Sequence, residues 1–363
     1  MLAIGLMSGT SRDGIDAALI RTDGVAAGEA LAFHSQPYGE GFRMRLAEAC
    51  LRAMAMDRPG FEPLIASVEE ELTALHVDAV ADLLGRGGMS AEEIGVIGFH
   101  GHTIAHRPER GWTWQIGDGV ALAGAFGIAV VNDLRSADVA AGGQGAPLLP
   151  VYHRAMAQGL PRPSAILNLG GVANITFIGE GDDLIAFDTG MASGLIDNWM
   201  QAEGNADFDA GGAVAATGRV DEAILAAMLA DPWFAAPPPK SIDRERFLTE
   251  PVARLSLADG AATLTAFTAH SVARALDHLP ARPVAIHVAG GGLHNGTLMR
   301  MIAQATGISV HPVGDIGLNG DAVEAEGFAY MAVRRLAGLP ISFPGTTGVP
   351  APMTGGVLHR CGA

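Results

Sequence analysis

The sequence is poor in cysteine, in basic residues and in long apolar stretches. Its two cysteines, Cys50 and Cys361, are too few for a thiolate zinc site or a disulfide framework, which fits a reducing cytoplasm. Lys and Arg number 23 against 39 Asp and Glu, and the net charge of −16 argues against nucleic acid as a partner. No apolar run approaches the ~20 residues of a membrane-spanning helix, so we expect no membrane partner. The first apolar run is short and lacks a basic leader, so we expect no secretory signal.

At 363 residues the chain is too long for one ordinary hydrophobic core, and its 49% hydrophobic content can fill two. We therefore expect two domains, one formed by residues 1–133 with 338–363 and the other by residues 134–337. The last long helix is expected from Asp321 to about Ala337, followed by an irregular tail from Pro340.

The N-terminal stretch predicts a β-hairpin with a polar tip. Apolar runs from Leu2 to Met7 and from Ile15 to Ile20 flank a turn rich in glycine and hydroxyl groups. Successive N–H groups in such a turn form a concave nest that suits phosphate oxygens, and Asp13 and Asp16 could serve a magnesium ion, Asp13 through a water. The candidate nucleotide-binding residues are Gly9, Thr10, Ser11, Arg12, Asp13, Gly14, Ile15 and Asp16. An ordinary hairpin with no ligand remains the alternative.

A second copy of this pattern opens the other half of the chain. Residues 164–178 again read as strand, glycine turn and strand, with Gly170 and Gly171 at the tip and a third strand from Asp183 to Phe187. The repetition predicts a duplicated βββαβα unit whose halves face each other across a cleft.

A later strand from Val284 runs into three glycines, Gly290, Gly291 and Gly292, with a helix expected to open at about Asn295. That arrangement suits an adenosine or phosphate group at the helix N-terminus. The dinucleotide-binding alternative is weak, because the G-x-G-x-x-G spacing is absent.

Two further segments are candidates for substrate contacts. A strand from Ile94 is expected to open into a turn that carries His100, His102 and His106, although single histidines are commonly core or surface residues. The stretch 135–148 has too little apolar content for a regular element, and we expect a binding loop. Its candidate ligand-binding residues are Arg135, Asp138 and Gln144. A flexible interdomain linker is the alternative.

Motifs rich in glycine, histidine and aspartate follow one another across nearly the whole chain: Gly9-Thr-Ser-Arg-Asp-Gly-Ile-Asp16, His100-Gly-His-Thr103, Gln115-Ile-Gly-Asp118, Ala140-Ala-Gly-Gly-Gln-Gly-Ala-Pro147, Asn168-Leu-Gly-Gly-Val-Ala-Asn174, Phe187-Asp-Thr-Gly190, Gly290-Gly-Gly292 with His294-Asn295, and Asp321-Ala-Val-Glu324-Ala. In this order they resemble the anhydro-N-acetylmuramic acid kinases. The resemblance implies the α/β two-domain fold of actin, Hsp70 and hexokinase. It also implies that ATP and water open 1,6-anhydro-N-acetylmuramic acid, giving N-acetylmuramic acid 6-phosphate and ADP in cell-wall recycling.

Within this resemblance, Asp188 is the candidate base that activates the water, and Glu324 is a candidate for helping to hold it. A helix N-cap for the segment from Ala192 is the alternative role of Asp188. ATP and Mg²⁺ are the implied cofactors, and we further expect a cytoplasmic homodimer. Two departures concern sugar contacts: Met191-Ala192-Ser193 replace the family's usual Pro-Gly-Asn, and His102 stands where the family has glutamine.

Rival functions are another sugar kinase, a phosphatase acting on phosphoanhydrides, or an ATP switch like Hsp70 or actin. We expect no client-binding or assembly domain of the kind such a switch carries, because the two nucleotide-binding halves take up the chain.

Overall fold

The computed structural model describes residues 1–242 and 246–360, so Cys361 lies outside the described residues. The strands are Leu2–Ser8 (β1), Gly14–Arg21 (β2), Glu29–Pro37 (β3), Val96–Arg107 (β4), Trp112–Ile116 (β5), Val130–Asn132 (β6), Ser164–Leu169 (β7), Val172–Ile178 (β8), Leu184–Met191 (β9), Ala285–Ala289 (β10), Ser309–Pro312 (β11) and Val357–His359 (β12). The α-helices are Glu40–Met54 (α1), Pro63–Gly87 (α2), Gly119–Phe126 (α3), Ser136–Ala140 (α4), Pro150–Met156 (α5), Ser193–Glu203 (α6), Glu222–Leu229 (α7), Leu257–Ala275 (α8), Gly296–Thr306 (α9), Val323–Leu336 (α10) and Pro344–Thr347 (α11).

The chain divides into two compact units. The first contains Met1–Gln158 and the described residues from Ala322 onward, and the second is Gly159–Asp321. No helix among residues 1–242 and 246–360 has both the length and the apolar character needed to cross a lipid bilayer.

The sheet of the first unit has the strand order β12-β6-β4-β1-β2-β3, with β5 paired to β4. β1 and β2 pair antiparallel, which confirms the predicted hairpin, and β3 continues the meander. β4 and β6 then add in parallel orientation. β1 and β2 are almost wholly buried, because helices and neighbouring strands cover them. Their apolar runs reflect that burial.

The sheet of the second unit repeats this connectivity. Its order is β11-β10-β7-β8-β9, with β7, β8 and β9 antiparallel and β10 and β11 parallel to β7. The predicted duplication is therefore confirmed, and the fold is the two-domain α/β fold of the actin, Hsp70 and hexokinase type.

α10 packs directly on the sheet of the first unit. A Cβ on Gly5 of β1 would lie 1.8 Å from the carbonyl oxygen of Ala325, and one on Gly98 of β4 would lie 2.0 Å from that of Phe328. The helix therefore approaches the strands as closely as glycine permits. The predicted domain boundaries differ from this division: residues 134–158 and 322–337 were expected in the second domain and lie in the first unit.

Three local expectations are wrong. β4 does not open into a turn after Phe99, because Gly101, with φ of 67°, lies within the strand, which continues to Arg107 and pairs with β5. The stretch 135–148 is not wholly irregular, since α4 forms within it. The C-terminal tail contains α11 and also β12, which pairs antiparallel with β6.

Candidate active site

The hairpin turn between β1 and β2 is largely exposed to solvent. Thr10, Ser11 and Asp13 are exposed. The turn is closed by a bond from the N–H of Arg12 to the carbonyl of Gly9 at 3.0 Å, and by one from the Ser11 hydroxyl to Asp13 at 2.8 Å. A Cβ on Gly9 would meet only the Ser11 hydroxyl, at 3.4 Å. The space above Gly9 is therefore open to a ligand.

The remaining candidates of this motif face the protein. Gly14 is needed because a Cβ there would lie 2.4 Å from the carbonyl oxygen of Gln36 on the neighbouring strand. Ile15 is wholly buried in the core that α1 and α2 cover, and Asp16 is partly buried on β2. Ile15 thus anchors the hairpin, while the Gly9 to Asp13 segment forms its free tip.

His100 and Arg135 form a bonded pair in the first unit. The Nε and Nη2 atoms of Arg135 lie 3.1 and 3.0 Å from Nε2 of His100, and Nδ1 of His100 lies 2.8 Å from the carbonyl of Gly101. Burial, and next the positive charge of Arg135, hold the pKa of His100 well below its usual value. The ring is therefore neutral, donates from Nδ1 and accepts from Arg135 at Nε2.

Burial lowers the pKa of Arg135 to about 10, which leaves the guanidinium charged at neutral pH. The negative charge of Glu324, at the start of α10, favours that charged form. Arg135 also donates from Nη1 to the carbonyl of Gly145 at 2.8 Å. The structure thus brings together three predicted site residues, His100, Arg135 and Glu324, around one charged group.

The loop that follows α4 is held by Asp138. This side chain is 2% exposed, and its two oxygens accept from the N–H of Gly145 at 2.6 Å and from the hydroxyl of Thr347 at 2.6 Å. The N–H of Gln144 donates to the carbonyl of Thr347 at 2.7 Å. The Asp138 carboxylate therefore orders the segment that carries Gln144, and α11 supplies the anchor.

His102 and His106 also lie inside the first unit. His102 is 1% exposed, with Nδ1 2.8 Å from the Ser8 hydroxyl. Nδ1 of His106 lies 2.9 Å from the hydroxyl of Thr113 on β5. Burial lowers the pKa of both rings to about 4, so both are neutral at physiological pH.

The glycine turns of the second unit meet at the carboxyl ends of β7 and β10. The carbonyls of Gly170 and Gly171 accept from the N–H groups of Ser193 and Ala192, which begin α6. A Cβ on Gly290 would lie 2.5 Å from Oδ1 of Asn168, and one on Gly292 would lie 2.6 Å from Cβ of Leu169. Gly290 and Gly292 therefore pack closely against the end of β7, where a side chain would collide.

Within this group Gly291 is open, since a Cβ there would meet nothing within 4 Å. Asn295 is the N-cap of α9 and accepts from the N–H of Leu298 at 2.9 Å, which confirms the expected helix start. The space beside Gly291 is therefore open, close to the start of α9.

Asp188 lies on β9 opposite Asn174, three residues before the strand ends. Its carboxylate accepts from the N–H of Ile242 at 2.9 Å. The alternative role as a helix cap is wrong, because α6 has Ala192 at its N-cap position without a side-chain bond. Burial raises the pKa of Asp188 to about 7, and the Ile242 N–H offsets only part of that effect. A carboxylate with this pKa can accept a proton near neutral pH.

In the described part of the chain, no group of three or more His, Cys, Asp or Glu side chains is arranged to hold a metal ion. Magnesium is commonly held by one or two carboxylates, by waters and by substrate phosphates, so the acidic side chains at the first hairpin fit this ion in a nucleotide complex.

Comparison with known proteins gives matches over almost the whole chain. A family model described as anhydro-N-acetylmuramic acid kinase matches residues 1–360. The chain is similar to the anhydro-N-acetylmuramic acid kinase of Rhizorhabdus wittichii, at 63% identity over 99% of both chains. It is also similar to that of Zymomonas mobilis, at 55% identity over 99% of this chain and all of the relative.

Among solved structures, component A of the (R)-2-hydroxyglutaryl-CoA dehydratase of Acidaminococcus fermentans aligns with a TM-score of 0.50 at 13% identity, covering 93% of this chain and 99% of that one. This likeness concerns the fold alone. The match of the family model and of both relatives over almost the entire length shows that the chain belongs to the anhydro-N-acetylmuramic acid kinase family.

Proposed function

We propose that the protein uses ATP and water to convert 1,6-anhydro-N-acetylmuramic acid into N-acetylmuramic acid 6-phosphate and ADP, in the recycling of cell-wall peptidoglycan. In this substrate O6 is tied to the anomeric carbon, so there is no free 6-hydroxyl. Water forms a new bond to the anomeric carbon, the bond from that carbon to O6 breaks, and O6 takes the γ-phosphoryl group. The observation that carries this mechanism is a carboxylate, Asp188, whose pKa burial raises to about 7.

Asp188 acts as the general base. An attacking water must lose a proton as its oxygen bonds to carbon, and an ordinary aspartate is too weakly basic to take that proton efficiently near pH 7. The same need is met in inverting glycosidases by one carboxylate on the face opposite the leaving group. Glu324 is proposed to help hold the water, and its charge also supports Arg135.

The first hairpin binds the phosphates. Backbone N–H groups at Gly9 to Asp13 would neutralise charge on the transferred group, and the exposed tip leaves room for a ligand against Gly9. Mg²⁺, held by Asp13 through a water with Asp16 nearby, would supply further charge neutralisation. Gly170 and Gly171 together with the turn from Gly290 to Asn295 are proposed to contact the nucleotide in the second unit.

The sugar is bound by polar groups of the first unit. Arg135 is the candidate for an anionic or carbonyl group, because His100 and Gly145 fix its orientation while burial strengthens its field. Gln144 remains a proposed sugar contact, and Asp138 supports it by ordering its loop. We also propose that the protein is a homodimer that works in the cytoplasm.

Measuring ADP release with and without 1,6-anhydro-N-acetylmuramic acid tests this function. The kinase should release ADP in step with formation of the sugar phosphate and should be nearly silent without sugar. N-Acetylmuramic acid, which has a free 6-hydroxyl and no anhydro bond, is the matched control substrate. ADP release that is independent of both sugars would indicate an ATPase switch, and equal use of both would indicate an ordinary sugar kinase.

A further inference from the structure

Tyr38 joins both ends of the first hairpin turn. Its hydroxyl donates to the Oγ of Ser8 at 2.7 Å, and its backbone N–H donates to the carbonyl of Asp13 at 2.8 Å. Ser8 is the last residue of β1, and Asp13 immediately precedes β2. One residue therefore sets the width of the turn at its base.

His102 continues this network beneath the turn. Its Nδ1 lies 2.8 Å from the Ser8 Oγ, and its Nε2 lies 4.0 Å from Sγ of Cys50 on α1. Ser8 is fully buried, and Tyr38 and His102 are 6% and 1% exposed. The Ser8 oxygen accepts from Tyr38, and its own hydrogen can be donated to Nδ1 when the histidine is neutral with its proton on Nε2. Burial favours the neutral state of the ring.

The turn above this network has few other restraints. Beyond Ser8 its tip is held by the Gly9 to Arg12 backbone bond, by the exposed bond from Ser11 to Asp13, and by a bond from the Arg12 side chain to Cys50 on α1. Amides that bind the phosphates of a nucleotide contribute most to its affinity when they are held in place beforehand, since they then need no ordering on binding. A buried support at the base of an otherwise exposed turn meets that need.

We infer that Tyr38, Ser8 and His102 are positioning residues that hold the hairpin turn in its phosphate-binding geometry. This inference rests on the proposed role of the turn in nucleotide binding. None of the three side chains reaches solvent, so each acts through the backbone of the turn. For His102 this assigns a role beneath the nucleotide turn in place of the sugar contact expected from sequence.

Kinetics with purified variants test the inference. Tyr38→Phe and His102→Leu each remove one hydrogen bond and Ser8→Ala removes two, and each variant should raise the KM for ATP at least about five- to tenfold, the factor expected for one neutral hydrogen bond. The KM for the sugar and the kcat at saturating ATP should stay within about twofold, because neither depends on the turn once it is occupied. The double variant Tyr38→Phe with Ser8→Ala should be no worse than the poorer single variant, since both lack the same bond.

Two matched variants separate positioning from general stability. His102→Asn puts an acceptor near the position of Nδ1 and should restore the KM for ATP that His102→Leu loses. Tyr330→Phe removes another buried tyrosine hydroxyl of the same unit, one that donates to the carbonyl of Val25, and should leave the KM for ATP unchanged. A rise in the KM for ATP in Tyr330→Phe equal to that in Tyr38→Phe would overturn the inference.

Gly9→Val separates this inference from the proposed function. If Gly9→Val weakens ATP binding while Tyr38→Phe and Ser8→Ala leave the KM for ATP unchanged, only the positioning role fails. If Gly9→Val also leaves ATP binding unchanged, the turn is not the nucleotide site and both proposals fail. Melting temperatures of all variants, measured without ligand, confirm that folded protein is compared; the isosteric Tyr38→Phe keeps the test decisive if His102→Leu does not fold.

Discussion

The carboxylate of Asp188 accepts a hydrogen bond from the backbone N–H of Ile242 at 2.9 Å, which links strand β9 to the segment that follows the three consecutive prolines 237–239. The N–H of Asp188 in turn donates to the carbonyl of Lys240 at 3.0 Å. These two bonds hold the carboxylate in place through backbone groups alone. Burial is the main influence on the pKa of this carboxylate and raises it. The group is therefore held in place and is also more basic than an ordinary aspartate.

Replacing Asp188 by Asn should abolish turnover and leave nucleotide binding intact. The amide oxygen can still accept from Ile242, so the local structure is retained, but the amide cannot take a proton from water. The rate should fall by at least the ~10²–10⁴-fold typical of a lost general base. Steady-state kinetics and nucleotide titration measure the two effects. Asp182→Asn, which makes the same change at an exposed position near the start of β9, is the control and should retain activity.

The pH dependence of kcat/KM for the sugar should show an acid limb near pH 7. Because the pKa of Asp188 is raised from 3.8 to about 7, the carboxylate is protonated and inactive below that pH. The buried rings of His102 and His106 do not explain such a limb, since their pKa is lowered to about 4. A profile from pH 5.5 to 8.5 measures it. The same limb in the residual activity of Asp188→Asn would assign the titration to another group.

The same shift predicts that Asp188 weakens folding at neutral pH. The folded state holds this proton up to about pH 7, whereas the unfolded chain releases it near 3.8. Between those values the folded state binds more protons, so its stability decreases as the pH rises. The melting temperature of ligand-free Asp188→Asn, relative to the native protein, should therefore increase from pH 5 to pH 8. A difference that does not change with pH would show that the folded carboxylate titrates normally.

The sequence predicted the elements whose evidence is local. Apolar runs around a glycine turn identified the hairpin of β1 and β2, and their repetition after Ser164 identified the duplicated fold. The helix at Asn295 was also found, because an N-cap leaves a clear local pattern. In each case the deciding residues lie within a few positions of one another.

The features that the sequence did not predict depend on contacts between distant segments. The packing of α10 on β1 and β4 relies on Gly5 and Gly98. A glycine within a strand does not indicate which helix will pack against it. The sequence predicts a turn at Gly101, but β4 continues through this residue and pairs with β5. The sequence does not indicate Ile242 as a partner of Asp188, because the donor is a backbone N–H, which every residue except proline carries.

Gly9→Val should weaken ATP binding by about tenfold or more and leave the fold intact. The added side chain occupies the space proposed for phosphate, while a Cβ at Gly9 meets only the Ser11 hydroxyl, at 3.4 Å. An exposed substitution of this kind typically changes stability by about 0.5 kcal/mol or less. Titration with ATP and thermal melting measure the two effects. Gly5→Val is the opposite control: its Cβ would lie 1.8 Å from the carbonyl oxygen of Ala325, so it should impair folding.

The reaction run in oxygen-18 water tests the central claim most directly. If water activated by Asp188 attacks the anomeric carbon while O6 takes the phosphoryl group, the label enters the anomeric hydroxyl of the sugar 6-phosphate and is absent from the transferred phosphoryl group. Mass spectrometry of the product, followed by enzymatic release of its phosphate in unlabelled water, locates the label. Early time points are needed, because free anomeric hydroxyls exchange slowly with solvent. Label in the phosphoryl group and none at the anomeric carbon would mean that water attacks the nucleotide, which contradicts the proposed mechanism.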